Sequence, residues 1–123
     1  MKHSLDDQKP IFMQIAERIE DEIVRGVLKE GEQVPSTNQF AVYYQINPAT
    51  AAKGINLLVD QGILFKRRGI GMFVAEGAKQ GLLTKRKNLF FEEYIASMLK
   101  EAEKLNISKR DVIEMIEKFK GEE

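Results

Sequence analysis

Residues 35–75 read PSTNQFAVYYQINPATAAKGINLLVDQGILFKRRGIGMFVA. Two short helical patterns come first, and two strand-like runs follow on either side of a basic, glycine-containing turn. This order predicts a helix-turn-helix unit followed by a β-hairpin. On this interpretation the residues before the unit form a brace, and those after the hairpin form a tail for pairing with a second copy.

The second helix of the unit should begin at Pro48. Asn47 is a favourable N-cap, Pro is favoured at the first helical position, and Gly62 is well placed to end the helix. Its apolar face is formed by Ala51, Ile55, Leu58 and Val59, and its other face by Ala49, Thr50, Lys53 and Asn56. This other face has no carboxylate, which suits a helix that lies near phosphates while short side chains reach base edges. An ordinary amphipathic helix with a solvated face would show the same pattern.

The first helix of the unit is predicted to begin after Ser36, which is a suitable N-cap. Its apolar stripe consists of Phe40, Ala41 and Tyr44. Gln45-Ile46 is then a tight connection between two short helices. This spacing is typical of a helix-turn-helix.

The hairpin is predicted from two β-prone runs, Ile63–Lys66 and Met72–Ala75. Its tip, Arg67–Gly71, combines two arginines with two glycines. Backbone amides at the glycines could approach a sugar-phosphate backbone, and the arginines would supply positive charge. A basic hairpin alone is usually a solvated turn, but its position directly after a helix-turn-helix favours DNA binding.

The brace is a helix predicted from Pro10 to a stop at Gly26. Apolar residues recur there at spacings of three and four, namely Phe12, Ile15, Ala16, Ile19 and Ile23. Residues 1–9 are expected to form a loose polar lead-in, and Gln33-Val34 to add a short strand to the hairpin.

The distribution of charge favours a nucleic-acid partner although the net charge of the 123-residue chain is zero. Between residues 33 and 75, four cations stand against Asp60 alone, a net charge of +3. The brace helix has instead a cluster of acids, interpreted as a solvated face: Glu17, Glu20, Asp21 and Glu22. We therefore expect a basic binding face and an affinity that weakens moderately with salt.

The residue inventory gives an enzyme no evident centre. The only histidine is His3, there is no cysteine, and no group of His and carboxylates has metal-ligand spacing. The Gly69-Ile70-Gly71 tip does not lead from a strand into a helix, as a phosphate-binding loop does. We therefore predict no catalytic residue, no metal site and no cofactor.

Several landmarks fall in order at matching spacing: Pro35-Ser36, Asn47-Pro48-x-Thr50, Lys53, Gly62-Ile63-Leu64 and Arg67-Arg68-Gly69-x-Gly71-x-Phe73-Val74. With these landmarks, the chain from Pro10 to Ala75 resembles the winged helix-turn-helix domain of GntR-family transcription regulators. Its short tail resembles that of the small YtrA-like subfamily. The resemblance implies a mainly α fold with a small β-hairpin wing and a two-helix C-terminal dimerisation tail. It also implies a homodimeric repressor of a small operon, often a transporter operon in the small members.

The resemblance further implies that nine positions face DNA: Ser36, Asn47, Pro48, Ala49, Thr50, Lys53, Arg68, Gly69 and Gly71. Ala49, Thr50 and Asn38 are expected at base edges, and Ser36, Lys53 and Arg68 at phosphates. The full predicted set is Ser36, Thr37, Asn38, Asn47, Pro48, Ala49, Thr50, Lys53, Arg67, Arg68, Gly69 and Gly71.

The chain also departs from the family pattern. Asn38 stands where many members have Arg, usually after an acid where this chain has Thr37. In the family that Arg generally contacts DNA. Because Asn is shorter and uncharged, the contact is lost or its target is changed. Gln45 stands where glycine is common, and Tyr43 and Tyr44 are bulkier than usual. The sequence preference of a typical member does not carry over.

Three regions are predicted: a DNA-binding domain at residues 1–76, a linker at 77–88 and a dimerisation tail at 89–123. The basic linker either touches the DNA backbone or is simply solvated. In the tail, helical periodicity starts at Leu89, and Ser108 with Asp111 forms a capping box for the last helix. The apolar stripes favour a two-fold dimer over packing back onto the same subunit. The predicted dimerisation residues are Phe91, Tyr94, Ile95, Met98, Leu99, Ala102, Leu105, Val112, Ile113, Ile116 and Phe119.

The expected partners are double-stranded DNA, with a two-fold symmetric operator, and a second copy of the chain. No run is long enough to span a bilayer, and residues 1–7 lack the apolar core of a signal peptide, so a cytoplasmic location is expected. The tail is too short for the larger ligand-binding domains of other family branches. A small-molecule effector would have to bind at the dimer interface or between tail and wing domain, and the sequence identifies no pocket for it.

One alternative function stays open: a winged-helix module that docks proteins and binds no specific DNA. Charge reversal at Lys53 and Arg68 would discriminate between the two functions.

Overall fold

The computed structural model describes residues 8–121. The chain divides into two compact units, residues 1–83 and 84–123, and the division falls inside the fourth helix. The predicted lead-in at residues 1–9, with His3, lies mostly outside the described residues. None of the helices in the described part is both long and apolar enough to cross a membrane.

Helix α1, Ile11–Val24, is the brace, and its bounds agree with the prediction. Ile15, Ile19 and Ile23 repeat at steps of four, and all three side chains are almost completely buried. Gly26 follows with a φ of +83°, a conformation that favours glycine and ends the helix.

Helices α2, Thr37–Tyr44, and α3, Pro48–Asp60, form the helix-turn-helix. The cap of α2 is reciprocal: the Gln39 N–H donates to Ser36 Oγ at 3.1 Å, and the Ser36 N–H donates to Gln39 Oε1 at 2.7 Å. The turn between the helices passes through Gln45, whose φ of +57° is left-handed. Glycine is favoured there, so Gln45 costs some backbone strain.

Strands β1, Leu64–Arg67, and β2, Gly71–Val74, form the antiparallel wing hairpin. Each lies one residue from its predicted range, β1 later and β2 earlier. The predicted addition of Gln33-Val34 is confirmed as a single bridge between Gln33 and Phe73, flanked by a hydrogen bond from the Val34 N–H to the Met72 carbonyl at 2.9 Å.

The core of the first unit lies where α1 packs on α3, with the wing closing one side. Ile55 and Leu58 from α3 meet the α1 isoleucines, and Leu64 and Val74 from the wing are buried beside them. Gly54 permits this approach, because a Cβ there would lie 2.5 Å from the Phe12 carbonyl oxygen.

Helix α4, Ala78–Phe90, corrects the prediction that helical structure starts at Leu89. Residues 77–88, predicted as a linker, are almost entirely helical. Ala78 and Leu82, one turn apart, are buried in the core of the first unit, and the Lys79 N–H donates to Glu30 Oε2 at 3.2 Å. The domain limits proposed from the sequence stay a prediction.

The second unit contains a π-helical segment, Phe91–Ala96, then α5, Ser97–Lys104, and α6, Lys109–Lys118. The capping box of Ser108 and Asp111 is confirmed, with the Asp111 N–H donating to Ser108 Oγ at 3.0 Å. Asn106, with a φ of +60°, allows the turn between the helices.

Candidate nucleic-acid interface

The first part of the candidate interface is the pair of helix starts in the helix-turn-helix. Ser36 and Asn38 are exposed at the start of α2, and Thr37 is half-buried. At the start of α3, Asn47 Oδ1 accepts a hydrogen bond from the Ala49 N–H at 2.7 Å. Asn47 therefore acts as a helix cap, which leaves its amide nitrogen and one lone pair of Oδ1 for a ligand.

The exposed face of α3 matches the sequence prediction. Ala49, Lys53 and Asn56 are exposed and Thr50 is half-buried, while Asp60 lies at the far end of the helix. The N-terminal half of this face thus carries small and polar side chains and one cation. It can approach DNA without bringing a carboxylate to the phosphates.

Lys53 has a partner that the sequence did not indicate. Its ammonium lies 4.2 Å from the centroid of the Phe12 ring, a cation–π contact between α3 and α1. Phe12 thereby fixes the direction of the only cation in α3. The predicted core pattern included Phe12, but nothing in its spacing distinguished it from the other apolar residues of α1.

The wing is the second part of the interface. The rings of Phe65 and Phe73 stack across the two strands with centroids 5.7 Å apart, and the Arg67 guanidinium lies 5.2 Å from the centroid of the Phe73 ring. Arg67 is therefore held on the body of the hairpin. Arg68 and Gly69 are exposed at the tip, and Gly69 has a φ of +79° that favours glycine.

Gln33 links the wing tip to the segment before α2. Its Nε2 donates a hydrogen bond to the Ile70 carbonyl at 3.0 Å. Gly71, which is predicted to face DNA, is half-buried next to the Gln33 side chain. Less of its backbone is therefore open to DNA than at Gly69. The sequence pattern indicates a strand at Gln33 but does not indicate this contact.

All twelve predicted DNA-binding residues lie in the first unit: on α2 and α3, at their N-caps Ser36 and Asn47, and on the wing. The structure packs α3 against both α2 and β1, so the helix starts and the wing belong to one packed body. Which of these residues contact DNA stays a prediction.

Other concave surfaces have a different character. An open groove of about 420 Å³ is lined by Tyr44, by three acids and by three cations: Glu17, Asp21, Glu22, Lys9, Arg18 and Arg25. Burial raises the pKa of the Tyr44 phenol, and Arg18, 5.5 Å from its ring centroid, acts in the opposite direction. The positive and negative side chains of the groove are equal in number, so it lacks the excess of positive charge that attracts DNA.

The tail unit has many exposed apolar side chains. Ala102 and Val112 of the predicted dimerisation set are buried within the unit, and Ile95 and Leu99 are half-buried. The remaining seven are exposed: Phe91, Tyr94, Met98, Leu105, Ile113, Ile116 and Phe119. Phe90 and Met115, which the prediction left out of the set, are exposed as well.

A helix-turn-helix with a bracing helix before it and a two-stranded hairpin after it defines a winged helix-turn-helix protein. The chain belongs to the gntR family of bacterial regulatory proteins, whose model matches residues 12–74. It is therefore a DNA-binding transcription regulator by family, and not an enzyme.

Individual relatives extend the match. The chain is 30% identical over 119 residues to the uncharacterized HTH-type transcriptional regulator YhcF of Bacillus subtilis (strain 168), covering 97% of each protein. It is 30% identical over 84 residues to the HTH-type transcriptional repressor YtrA of the same organism, covering 68% of this chain and 65% of that protein. The DNA-binding domain of AraR, solved in complex with operator ORX1, superposes with a TM-score of 0.54 at 29% identity, covering 61% of this chain and 92% of that one.

Proposed function

We propose that the protein is a homodimeric transcriptional repressor that binds a two-fold symmetric operator and acts in the cytoplasm. The observation that carries the proposal is the acid-free, exposed start of α3 in the same packed body as a basic wing. Relatives support it: AraR was solved on an operator, and YtrA is named a repressor.

The proposed contacts divide by chemistry. Ala49 and Thr50, short side chains at the start of α3, would reach base edges in the major groove, with Asn38 beside them. Ser36 and Lys53 would contact phosphates and set the register of the protein on the duplex. At the wing, Arg68 and the Gly69 backbone would contact the sugar-phosphate backbone.

The proposed dimer rests on the tail. Ile113 and Ile116 in α6 are 49% and 57% exposed, and Phe119 is 77% exposed. An apolar surface of this kind is normally covered, and a second copy covers it with the same surface in a two-fold dimer. The α3 helices of the two copies would then bind half-sites about one helical turn of DNA apart.

The experiment is fluorescence anisotropy of the purified protein with labelled DNA from upstream of its own gene. Unrelated competitor DNA is added, and the titration is run at two salt concentrations. We expect tight binding that resists competitor and weakens with salt. Binding that competitor abolishes would contradict sequence-specific regulation, and no binding at low salt would favour the protein-docking alternative.

Charge reversal tests the proposed face. Lys53→Glu and Arg68→Glu should each abolish specific binding, whereas Lys118→Glu, in the last turn of α6, should leave binding to one half-site unchanged. DNA binding that survives both reversals would show that the contact face lies elsewhere.

A further inference from the structure

The side chain of Gln33 reaches across the wing to its tip. Its Nε2 donates a hydrogen bond to the carbonyl of Ile70, 37 positions away along the chain, at 3.0 Å. Ile70 lies in the turn between the two strands, and its own N–H donates to the Arg67 carbonyl at 2.9 Å. One side-chain amide thus connects the hairpin turn to the segment that leads into α2.

The backbone pairing places Gln33 on a defined face of the wing. Gln33 is bridged to Phe73, and residues paired across antiparallel strands point to the same face. Phe65 shares that face through its own pairing with Phe73, and alternation adds Gly71 and Arg67. Gln33 therefore runs along the same face as the aromatic pair that holds Arg67.

Gly71 leaves room for this side chain. Its φ is +147°, and a Cβ built on it would collide with Gln33 Nε2. The bare backbone at this position lets the Gln33 amide pass to the Ile70 carbonyl. The glycine is required here by a close approach inside the protein, in addition to any approach of DNA.

We propose that Gln33 is a positioning residue that fixes the wing tip in the conformation in which it meets DNA. The inference rests on the proposed function, because it assumes that the wing contacts the operator. Each wing strand has only four residues, and a short two-stranded hairpin is marginally stable by itself. Ordering the tip before binding lowers the entropy lost when Arg68 and Gly69 engage the DNA backbone.

The test begins with the free protein. Gln33→Met keeps the length of the side chain and removes its donor, and Gln61→Met is a matched change at an exposed glutamine that caps α3. Heteronuclear NOE values of amides 68–71 report the order of the tip on the picosecond to nanosecond timescale. We expect them to fall in Gln33→Met and to stay unchanged in Gln61→Met, while both variants still unfold cooperatively.

The second measurement is affinity for the duplex that the wild-type protein selects from a random-sequence pool. A neutral hydrogen bond corresponds to a factor of about 2–10 in an equilibrium constant, so Gln33→Met should weaken binding by about that factor. Gln61→Met should bind as the wild type does. Since Gln33 acts through the tip, its effect should shrink when Arg68→Ala is already present.

Other outcomes would overturn the proposal. If the effects of Gln33→Met and Arg68→Ala on the binding free energy simply add, Gln33 contacts DNA itself. Unchanged NOE values would show that Gln33 does not order the tip, and a disordered tip with unchanged affinity would remove its role in binding. A wild-type protein that selects no duplex would overturn the proposed function instead. The NOE comparison would still show whether Gln33 orders the wing tip.

Discussion

The Lys53 ammonium lies 4.2 Å from the centroid of the Phe12 ring, directly beside the place where the Phe12 carbonyl oxygen faces Gly54. One residue of α1 therefore meets two successive residues of α3, through its backbone at Gly54 and through its ring at Lys53. The packing of α1 on α3 and the direction of the Lys53 ammonium, a proposed DNA contact, therefore both depend on Phe12.

Gly54→Ala should destabilise the protein, although Ala is the better helix former. The added Cβ would lie 2.5 Å from the Phe12 carbonyl oxygen, which is backbone and cannot move without shifting α1. We expect the free energy of unfolding in urea to fall by about 1–3 kcal/mol. Gly81→Ala, in α4, is the control, because nothing lies within 4 Å of a Cβ added at Gly81. This variant should raise the free energy of unfolding by about 0.5–1 kcal/mol. Equal changes in the free energy of unfolding for the two variants would contradict the close approach of Gly54 to the Phe12 carbonyl.

Lys53→Gln should weaken binding to all DNA sequences by a similar factor and lower the slope of log K against log salt by about 1, since a phosphate contact releases counterions. The measurement is anisotropy with specific and unrelated duplexes at several salt concentrations. Phe12→Leu keeps the charge of Lys53 and loses the cation–π contact, so its salt slope should equal that of the wild type. A Lys53→Gln protein with the wild-type slope would mean that Lys53 stays on the Phe12 ring and makes no phosphate contact.

The parts of the fold that could be predicted from the sequence depend on local signals. The caps at Ser36, Asn47 and Ser108 each satisfy a backbone N–H within three residues, so residue type and spacing are enough to locate them. Each strand is shifted by one residue from its prediction because Arg67 pairs with Gly71 across the turn, and glycine is a residue that β-propensity does not assign to a strand.

The start of α4 was missed for a tertiary reason. Gly77 and Gly81, followed by a run of cations, are typical of a linker. The burial of Ala78 and Leu82 in the core of the first unit outweighs that local preference. The contacts of Gln33 with Ile70 and of Phe12 with Lys53 join residues about 40 positions apart along the chain. Periodicity carries no information about such pairs.

Tyr44 should make stability fall at high pH. Burial raises the pKa of its phenol above the ordinary 10.0, so the folded protein holds this proton more tightly than the unfolded chain does. The stabilisation is therefore complete below pH 10 and is lost as the pH rises through the folded-state pKa. Tyr44→Phe, measured by urea unfolding from neutral to alkaline pH, should lose less stability above pH 10 than the wild type does. An identical alkaline decline in both proteins would contradict the prediction.

Ser36 allows stability and DNA binding to be separated. Ser36→Ala removes the acceptor for the Gln39 N–H and should lower the free energy of unfolding by about 1 kcal/mol. Ser36→Asp keeps an acceptor at the N-cap and adds a charge that the helix dipole favours, so its stability should match the wild type. Because the same carboxylate would face a phosphate, operator affinity should fall about tenfold or more in Ser36→Asp. Undiminished affinity in a stable Ser36→Asp protein would place the start of α2 away from the DNA.

The exposed face of α6 should decide the oligomeric state. Ile116 is 57% exposed in the single chain, so Ile116→Glu costs the tail little by itself but places a charge in the proposed dimer interface. Light scattering should show the mass falling to the 14.1 kDa of one chain, and Glu117→Gln, on the neighbouring position, should keep the dimer. The monomer should bind a half-site as well as the wild type does and lose the added affinity for a full two-fold operator, since joining two half-sites raises the effective concentration of the second. An Ile116→Glu protein that stays dimeric and binds the full operator normally would place the dimer interface on another surface of the chain.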